Sequence, residues 1–266
     1  MTVRTRFAPS PTGELHPGNA RIAVLNWLYA RHCDGRFIVR IEDTDVDRNV
    51  AGSEDEILAS LRRLGLEWDE GPDVGGDHAP YRQSERTSVY REYTDRLLAT
   101  SAAYRCYCTP EELESRKQSA LRDGGPVGYD GRCRDLSAED ERRLQERGVP
   151  ASVRFAVPDG DISVNDPVRG VIRFDASEFG DFVIMKSDGF PTYNFAVVVD
   201  DVSMEISHVI RGVGHLANTP RQVMIYSALG AQLPVFLHVP HVLGPDGAPL
   251  SKRRGALSLR EYLDQG

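Results

Sequence analysis

An α/β fold carrying a small α+β insertion is the architecture this sequence predicts, on three observations. The N-terminal stretch reads strand, loop, helix, strand, which is how a parallel sheet begins. After about Ala102 the chain changes to short polar helices, glycine-rich turns and antiparallel strand signals. From Thr192 the near-continuous apolar runs of a parallel sheet return. The expected division is 1–102 and 191–266 as two halves of one domain, with 103–190 inserted between them.

In order, TVRTRFA (2–8) alternates enough for a short strand, and the turn-rich PSPTGELHPG follows it. A helix is expected from about Asn19 to Cys33, containing Ile22, Leu25, Trp27 and Leu28, and then RFIVRIED (36–43) as a buried strand. The next helix opens at a capping box, Ser53–Glu56, with Ile57, Leu58, Leu61 and Leu64 on one side. Another runs from about Glu85 to Leu98 with Val89, Tyr90, Tyr93 and Leu97 as its stripe. In the insertion, Thr109-Pro110-Glu111-Glu112 is a strong helix start. SVRFAV, GVIRF and DFVIMK read as antiparallel strands. In the last third YNFAVVVDD and ISHVIRG read as buried strands, TPRQVMIYSALG as a capped helix, VFLHVPHVL as a further strand, and LSLREYLDQG as helical.

With 266 residues, 40% hydrophobic and 27% charged, the chain can bury a core without staples. No run approaches the roughly 18–20 apolar residues of a membrane helix. The start, MTVRTRFAPS, lacks the apolar centre of a secretory signal, so a cytoplasmic enzyme without membrane contact is expected. The net charge of −8 argues against a surface devoted to nucleic acid. Any RNA contact is then local, while a few focused Arg and Lys residues are enough for small anions.

His16-Pro17-Gly18-Asn19 precedes the first helix, where backbone N–H groups hold anions. Glycine admits a ligand to the backbone, proline suits the first turn, and asparagine can cap. Alone, the same residues also read as a plain loop-to-helix transition. GPDGAPLSKRRGA (244–256) leads a glycine-rich turn into Ser251-Lys252-Arg253-Arg254. Such a loop can close over polyphosphate, or be a solvated basic turn. Of the four cysteines, Cys106, Cys108 and Cys133 cluster in sequence, which suits reduced thiols or zinc better than disulfides.

Taken together with FAPSPTG and IEDTD, these motifs resemble the class I aminoacyl-tRNA synthetases of glutamyl type. The resemblance covers essentially the whole chain, through GYDGRCR, DFVIMKSDGFPTYNFAVVVDD, HVIRG, NTP and LSKRRGALSLREY. It implies a Rossmann-like class I synthetase catalytic domain with an inserted, zinc-containing, acceptor-binding subdomain. It also implies ATP with Mg²⁺, L-glutamate and a Glu-type tRNA as partners of a monomeric enzyme. His16–Asn19 falls where the family carries "HIGH", and Pro249–Arg253 where it carries "KMSKS". By that resemblance His16 and Lys252 are catalytic, and Gly18, Asn19, Ser251 and Arg253 join them around ATP, with Gly18 leaving room for the adenosine. Arg6, Ala8, Ser10, Glu42, Tyr193 and Arg211 match the amino-acid-binding positions. The residue types are suitable, since arginine reads a carboxylate bidentately and a glutamate pairs with an ammonium group. Some relatives hold structural zinc with Cys-x-Cys and Tyr-x-x-x-Cys, which here are Cys106, Cys108, Tyr129 and Cys133.

The chain departs from the family pattern at three places. Pro249 replaces the first lysine of the phosphate loop, Val213-Gly214 stand where an acidic pair is usual, and the 266 residues are expected to hold no anticodon-binding domain, as either a truncated catalytic region or a short enzyme. The expected function is glutamate–tRNA ligase or its catalytic portion. The alternatives are the short relative that glutamylates the queuosine of an Asp-type tRNA, and a degenerate paralogue without catalysis.

Overall fold

The computed structural model describes residues 2–125, 128–244, 247–248 and 259–264. Strand β1 (Arg4–Phe7) pairs in parallel with β2 (Arg36–Val39), with Arg6 opposite Ile38, and helix α1 (Pro17–His32) crosses between them. Strand β8 (His208–Gly212) pairs in parallel with β9 (Val235–Val239), and α7 (Thr219–Ala228) makes that crossover. The two pairs lie side by side through β1 and β8, where Ser207 N–H donates to the Arg4 carbonyl at 3.0 Å. Asn26 of α1 spans the seam, its side-chain amide donating to the Ile210 carbonyl at 2.9 Å while its backbone carbonyl accepts from the Thr5 hydroxyl. With crossovers leaving in opposite directions, the carboxyl ends of β1 and β8 bound a crevice, the usual ligand position in such sheets.

Helix α1 does not bury its large apolar residues against the sheet. Ala20, Ala23, Asn26 and Ala30 form the buried face and Leu28 is 50% exposed, so small side chains bring the helix close to the strands. Helix α2 (Ser53–Arg63) packs Ile57, Leu58 and Leu61 into the same core with Phe7, Phe37 and Val39. The expected capping box is absent. Gly52 is the N-cap, and Ser53 exchanges hydrogen bonds with both backbone groups of Gly13, at 2.8 and 2.9 Å. The hydroxyl therefore anchors the loop before α1 instead of the helix it begins. Helix α3 (Thr87–Ala99) buries Tyr90 and Leu97 of its expected stripe.

Within 103–190, β3 (Ala103–Cys106), β4 (Ser152–Phe155) and β7 (Phe182–Met185) form an antiparallel sheet, while β5 (Asp161–Asp166) and β6 (Gly170–Asp175) form a separate hairpin. Strand β5 lies outside the expected strands. The helices are α4 (Pro110–Asp123), with a complete Thr109/Glu112 capping box, and α5 (Ala138–Glu146). The largest correction falls on YNFAVVVDD, which is helix α6 (Tyr193–Ser203), not a strand. A helix buried over Phe195–Asp201 has no polar face to reveal its period, and a short apolar run cannot distinguish the two. It lies in the main core with Phe155, Ile184, Val209 and Phe236. A last helix, α8 (Leu259–Asp264), returns to the start of the chain, where Leu259 N–H donates to the Leu15 carbonyl at 3.0 Å. No described helix is long and apolar enough to cross a membrane.

Candidate active site

A cavity of about 550 Å³ opens at the carboxyl ends of β1 and β8. Arg6, Ala8, Ser10, Glu42, Tyr193 and Arg211 all line it. His16, Gly18 and Asn19 line it as well, so segments far apart in sequence share one space. Ser251, Lys252, Arg253 and Pro249 lie outside the described residues. On either side of them, Val242 lines the cavity and Leu259 is bonded to Leu15, one residue before His16.

His16 is the N-cap of α1, its Nδ1 accepting the Gly18 N–H at 3.1 Å. The neutral ring then carries its proton on Nε2, as a donor. That geometry leaves little room at Gly18, because a Cβ there would stand 3.3 Å from His16 Nδ1 and press on the capping ring. Asn19 is exposed and sits inside the first turn, so the cap expected of it belongs to His16.

Behind the β1 side lies a buried charge network that sequence reasoning missed. Arg6 donates to both oxygens of Asp201 through Nε, at 3.1 and 3.3 Å. Arg40, fully buried, donates to Asp201 at 2.7 Å and to Glu42 at 3.1 Å. Its Nε lies 3.6 Å from Asp200, which also accepts from Arg86 at 2.7 Å and from Gln83 and Tyr90. Burial resists the charge on Arg40, but Asp201, Asp200 and Glu42 overcome it and hold the guanidinium well above its usual range. Burial also pushes the Glu42 carboxyl up, against the pull of Arg40. A signal was present: an arginine inside RFIVRIED and two aspartates closing AVVVDD place opposite charges on apolar runs.

Arg211, 5% exposed, is set differently. Its Nε donates to His238 Nε2 at 3.0 Å, Nη1 to Gln222 at 2.7 Å and Nη2 to Thr219 at 2.9 Å, and Phe236 lies under the guanidinium. Among the described residues no carboxylate pairs with it directly, and burial pushes it down to about 10. Tyr193 donates to or accepts from His215 Nδ1 at 3.0 Å across the mouth. Loss of water, then the charges of Arg211 and Arg6, push His215 down to about 4. Of Val213-Gly214, which stand where the family usually has an acidic pair, Gly214 lines the cavity, and His215 follows it in the wall. The resulting field is positive and suits an anion.

The thiol cluster also assembles. Cys106, Cys108 and Cys133 bring their sulfurs within 4.8 Å of one another, with Cys108 and Cys133 at 3.7 Å. A tetrahedral zinc with Zn–S near 2.3 Å needs sulfurs about 3.8 Å apart, so the donor set fits that metal. The Tyr129 hydroxyl is 3.4 Å from Cys106 Sγ, and it also accepts the Cys133 N–H at 2.9 Å. Burial opposes a Cys106 thiolate, yet Tyr129 and Arg154 outweigh it and hold that thiol below its usual range.

A profile for the catalytic domain of class I tRNA synthetases (E and Q) matches residues 2–266. A glutamate–tRNA ligase of Heliobacterium modesticaldum is 56% identical over 265 residues, 99% of this chain and 53% of the relative. The glutamate–tRNA ligase 1 of Caldicellulosiruptor saccharolyticus is 54% identical over 267 residues, 100% of this chain and 55% of the relative. The crystal structure of a glutamate tRNA ligase from Elizabethkingia meningosepticum, in complex with its amino acid, superposes with a TM-score of 0.91 at 43% identity. That superposition covers 96% of this chain and 53% of the other. The chain thus spans about half the length of the relatives it matches, and it belongs to the glutamyl- and glutaminyl-type class I tRNA synthetases as their catalytic domain.

Proposed function

We propose that this chain activates L-glutamate with ATP to glutamyl-adenylate and passes the glutamyl group to tRNA, as a glutamate–tRNA ligase or its catalytic portion. The observation that carries the proposal is Arg211, a buried guanidinium that among the described residues has no direct carboxylate partner, facing a cavity that Glu42 also lines. On this reading Arg211, aided by Arg6, takes the substrate's side-chain carboxylate, and Glu42 takes its ammonium. Ala8, Ser10 and Tyr193 complete the amino-acid site. The substrate α-carboxylate attacks the α-phosphorus in line, an O–P bond forms, and pyrophosphate leaves with the electrons of the broken bond. No protein nucleophile is needed, so catalysis is positioning and charge stabilisation.

His16 Nε2–H and the N-terminus of α1 serve phosphate oxygens, with Gly18 and Asn19 beside them. Ser251, Lys252 and Arg253 serve the leaving pyrophosphate, and Mg²⁺ accompanies ATP and shields its charge. The expected division into 1–102, 103–190 and 191–266 belongs to the same proposal, with the middle segment meeting the tRNA acceptor. The names of relatives above half identity favour the Glu-type tRNA over queuosine modification of an Asp-type tRNA. On this reading the enzyme works as a monomer in the cytoplasm, where its free thiols stay reduced.

The deciding experiment is glutamate-dependent ATP–pyrophosphate exchange, with and without tRNA. Exchange that Lys252→Ala lowers roughly 100-fold fits the loss of one strong transition-state donor. No exchange under either condition overturns the proposal. For the thiol cluster, about one equivalent of structural zinc per chain is expected from metal analysis of protein purified without added metal. Fully folded, metal-free protein overturns that assignment.

A further inference from the structure

Asp166, His238 and Arg211 form a buried line from the hairpin of the insertion to the cavity wall, with exposures of 0%, 0% and 5%. Asp166 ends β5 and accepts the His238 backbone N–H at 2.9 Å, and its same oxygen stands 2.7 Å from His238 Nδ1. On the other side of the ring, Nε2 meets two groups: Arg211 Nε at 3.0 Å and Thr219 Oγ1 at 3.1 Å. A guanidinium N–H can only donate. The Thr219 oxygen already accepts from Arg211 Nη2, so its own proton is available to Nε2. Both contacts are satisfied only when Nε2 is bare and the ring proton sits on Nδ1, donated to Asp166.

We propose that Asp166 and His238 are positioning residues for Arg211. The carboxylate fixes the imidazole tautomer, and the bare Nε2 then locks the guanidinium edge. Among the described residues Arg211 makes three hydrogen bonds, leaving one N–H on each terminal nitrogen for a carboxylate. The arrangement also keeps the charge of Arg211 available. Asp166 is one ring removed, so it orients the arginine without neutralising it, unlike Asp201 against Arg6. The inference rests on the glutamate-activating reading and adds to it the residues that aim the side-chain reader.

The test compares the full chain with Asp166→Asn, His238→Leu and His238→Gln. Binding of L-glutamate and of ATP is measured by calorimetry, and the His238 ring nitrogens are observed by ¹⁵N NMR. Asparagine at 166 can donate to Nδ1 and turn the ring proton toward Arg211, the wrong tautomer. Asp166→Asn and His238→Leu are expected to weaken glutamate binding roughly 10- to 100-fold, the scale of one charge-assisted hydrogen bond, and to leave ATP binding unchanged. His238→Gln, whose carbonyl can accept from Arg211, recovers part of the loss. In the wild-type chain the His238 resonances show a protonated Nδ1 and a bare Nε2. An Nε2–H tautomer, equal weakening of both ligands, or folded variants that bind glutamate normally overturn the inference. The tautomer is read on the wild-type chain, so variants that do not fold leave that arm intact. A wild-type chain that binds no glutamate overturns the amino-acid reading itself, and this inference with it.

Discussion

The two sides of the cavity bury arginine in opposite electrical settings. On the β1 side, Arg6 and Arg40 meet Asp201, Asp200 and Glu42 directly, and Arg86 closes the group from α3's approach. On the β8 side, Arg211 is as deeply buried but held by an imidazole, an amide and a hydroxyl. A buried ion pair costs desolvation that only good geometry offsets, and it breaks at high cost when one member is lost. A buried cation with neutral partners carries an unmatched charge, which is tolerable in a fold whose ligand supplies the opposite one. The contrast separates Arg40, whose charge is spent inside the fold, from Arg211, whose charge is left for the carboxylate proposed above, with Arg6 between them as both ion-pair partner and cavity wall.

The comparison breaks first at Arg40. Arg40→Met leaves three carboxylates buried together without their central cation, and a loss of about 3–5 kcal/mol is expected. Denaturant unfolding checks it, with failure to express as soluble protein the extreme outcome. A variant within about 1 kcal/mol of wild type would mean that the network is not structural.

Arg211→Gln sharpens the other side. Its amide can still meet part of the ring of acceptors, and the charge removed has no carboxylate partner among the described residues, so stability should change by about 1 kcal/mol or less. Glutamate binding should weaken roughly 100-fold, the worth of a bidentate charged contact, with ATP binding little changed. Calorimetry for the two ligands measures both. A large fall in stability with normal glutamate binding would reverse the roles of the two sides.

Much of the fold and of the cavity lining was legible in the sequence, the electrical contrast was not, and the limits have physical reasons. The first crossover was readable because RTRF, the turn-formers and RFIV each carry a local signal. The site residues were reached through motif positions, and all nine that fall on described residues of the ATP and amino-acid sites line the one cavity. What stayed hidden was long-range. Nothing local says that Arg40 meets Asp201, 161 positions away, or that Asp166 reaches His238, 72 positions on. Helix α6 was misread for a related reason: burial on all sides erases the periodicity that distinguishes helix from strand. Ser53 shows the same limit at smaller scale, since its hydroxyl follows a tertiary partner, Gly13, and not the capping pattern around it.

His215 gives the smallest effect and the most direct reading of the field between the two sides. Its ring faces the cavity, where loss of water and then Arg211 and Arg6 bring it from 6.5 down to about 4. His238 is also lowered, by burial first and Arg211 next. For both, the unfolded chain takes up a proton before the folded one does as pH falls. Their contribution to stability is therefore complete above about pH 6.5 and declines as the pH is lowered toward 4, which unfolding at pH 7 and pH 5 will reveal as a lower midpoint at pH 5. The sharper measurement is the NMR titration of His215 itself. In the ligand-free chain it should stay neutral down to about pH 4. Saturating glutamate brings a carboxylate to Arg211, cancels part of the positive field, and should move the His215 titration upward. An ordinary titration near 6.5 in the free chain would mean that the unmatched charge of Arg211 is not felt in the cavity, and the electrical difference between its two walls would lose its meaning for binding.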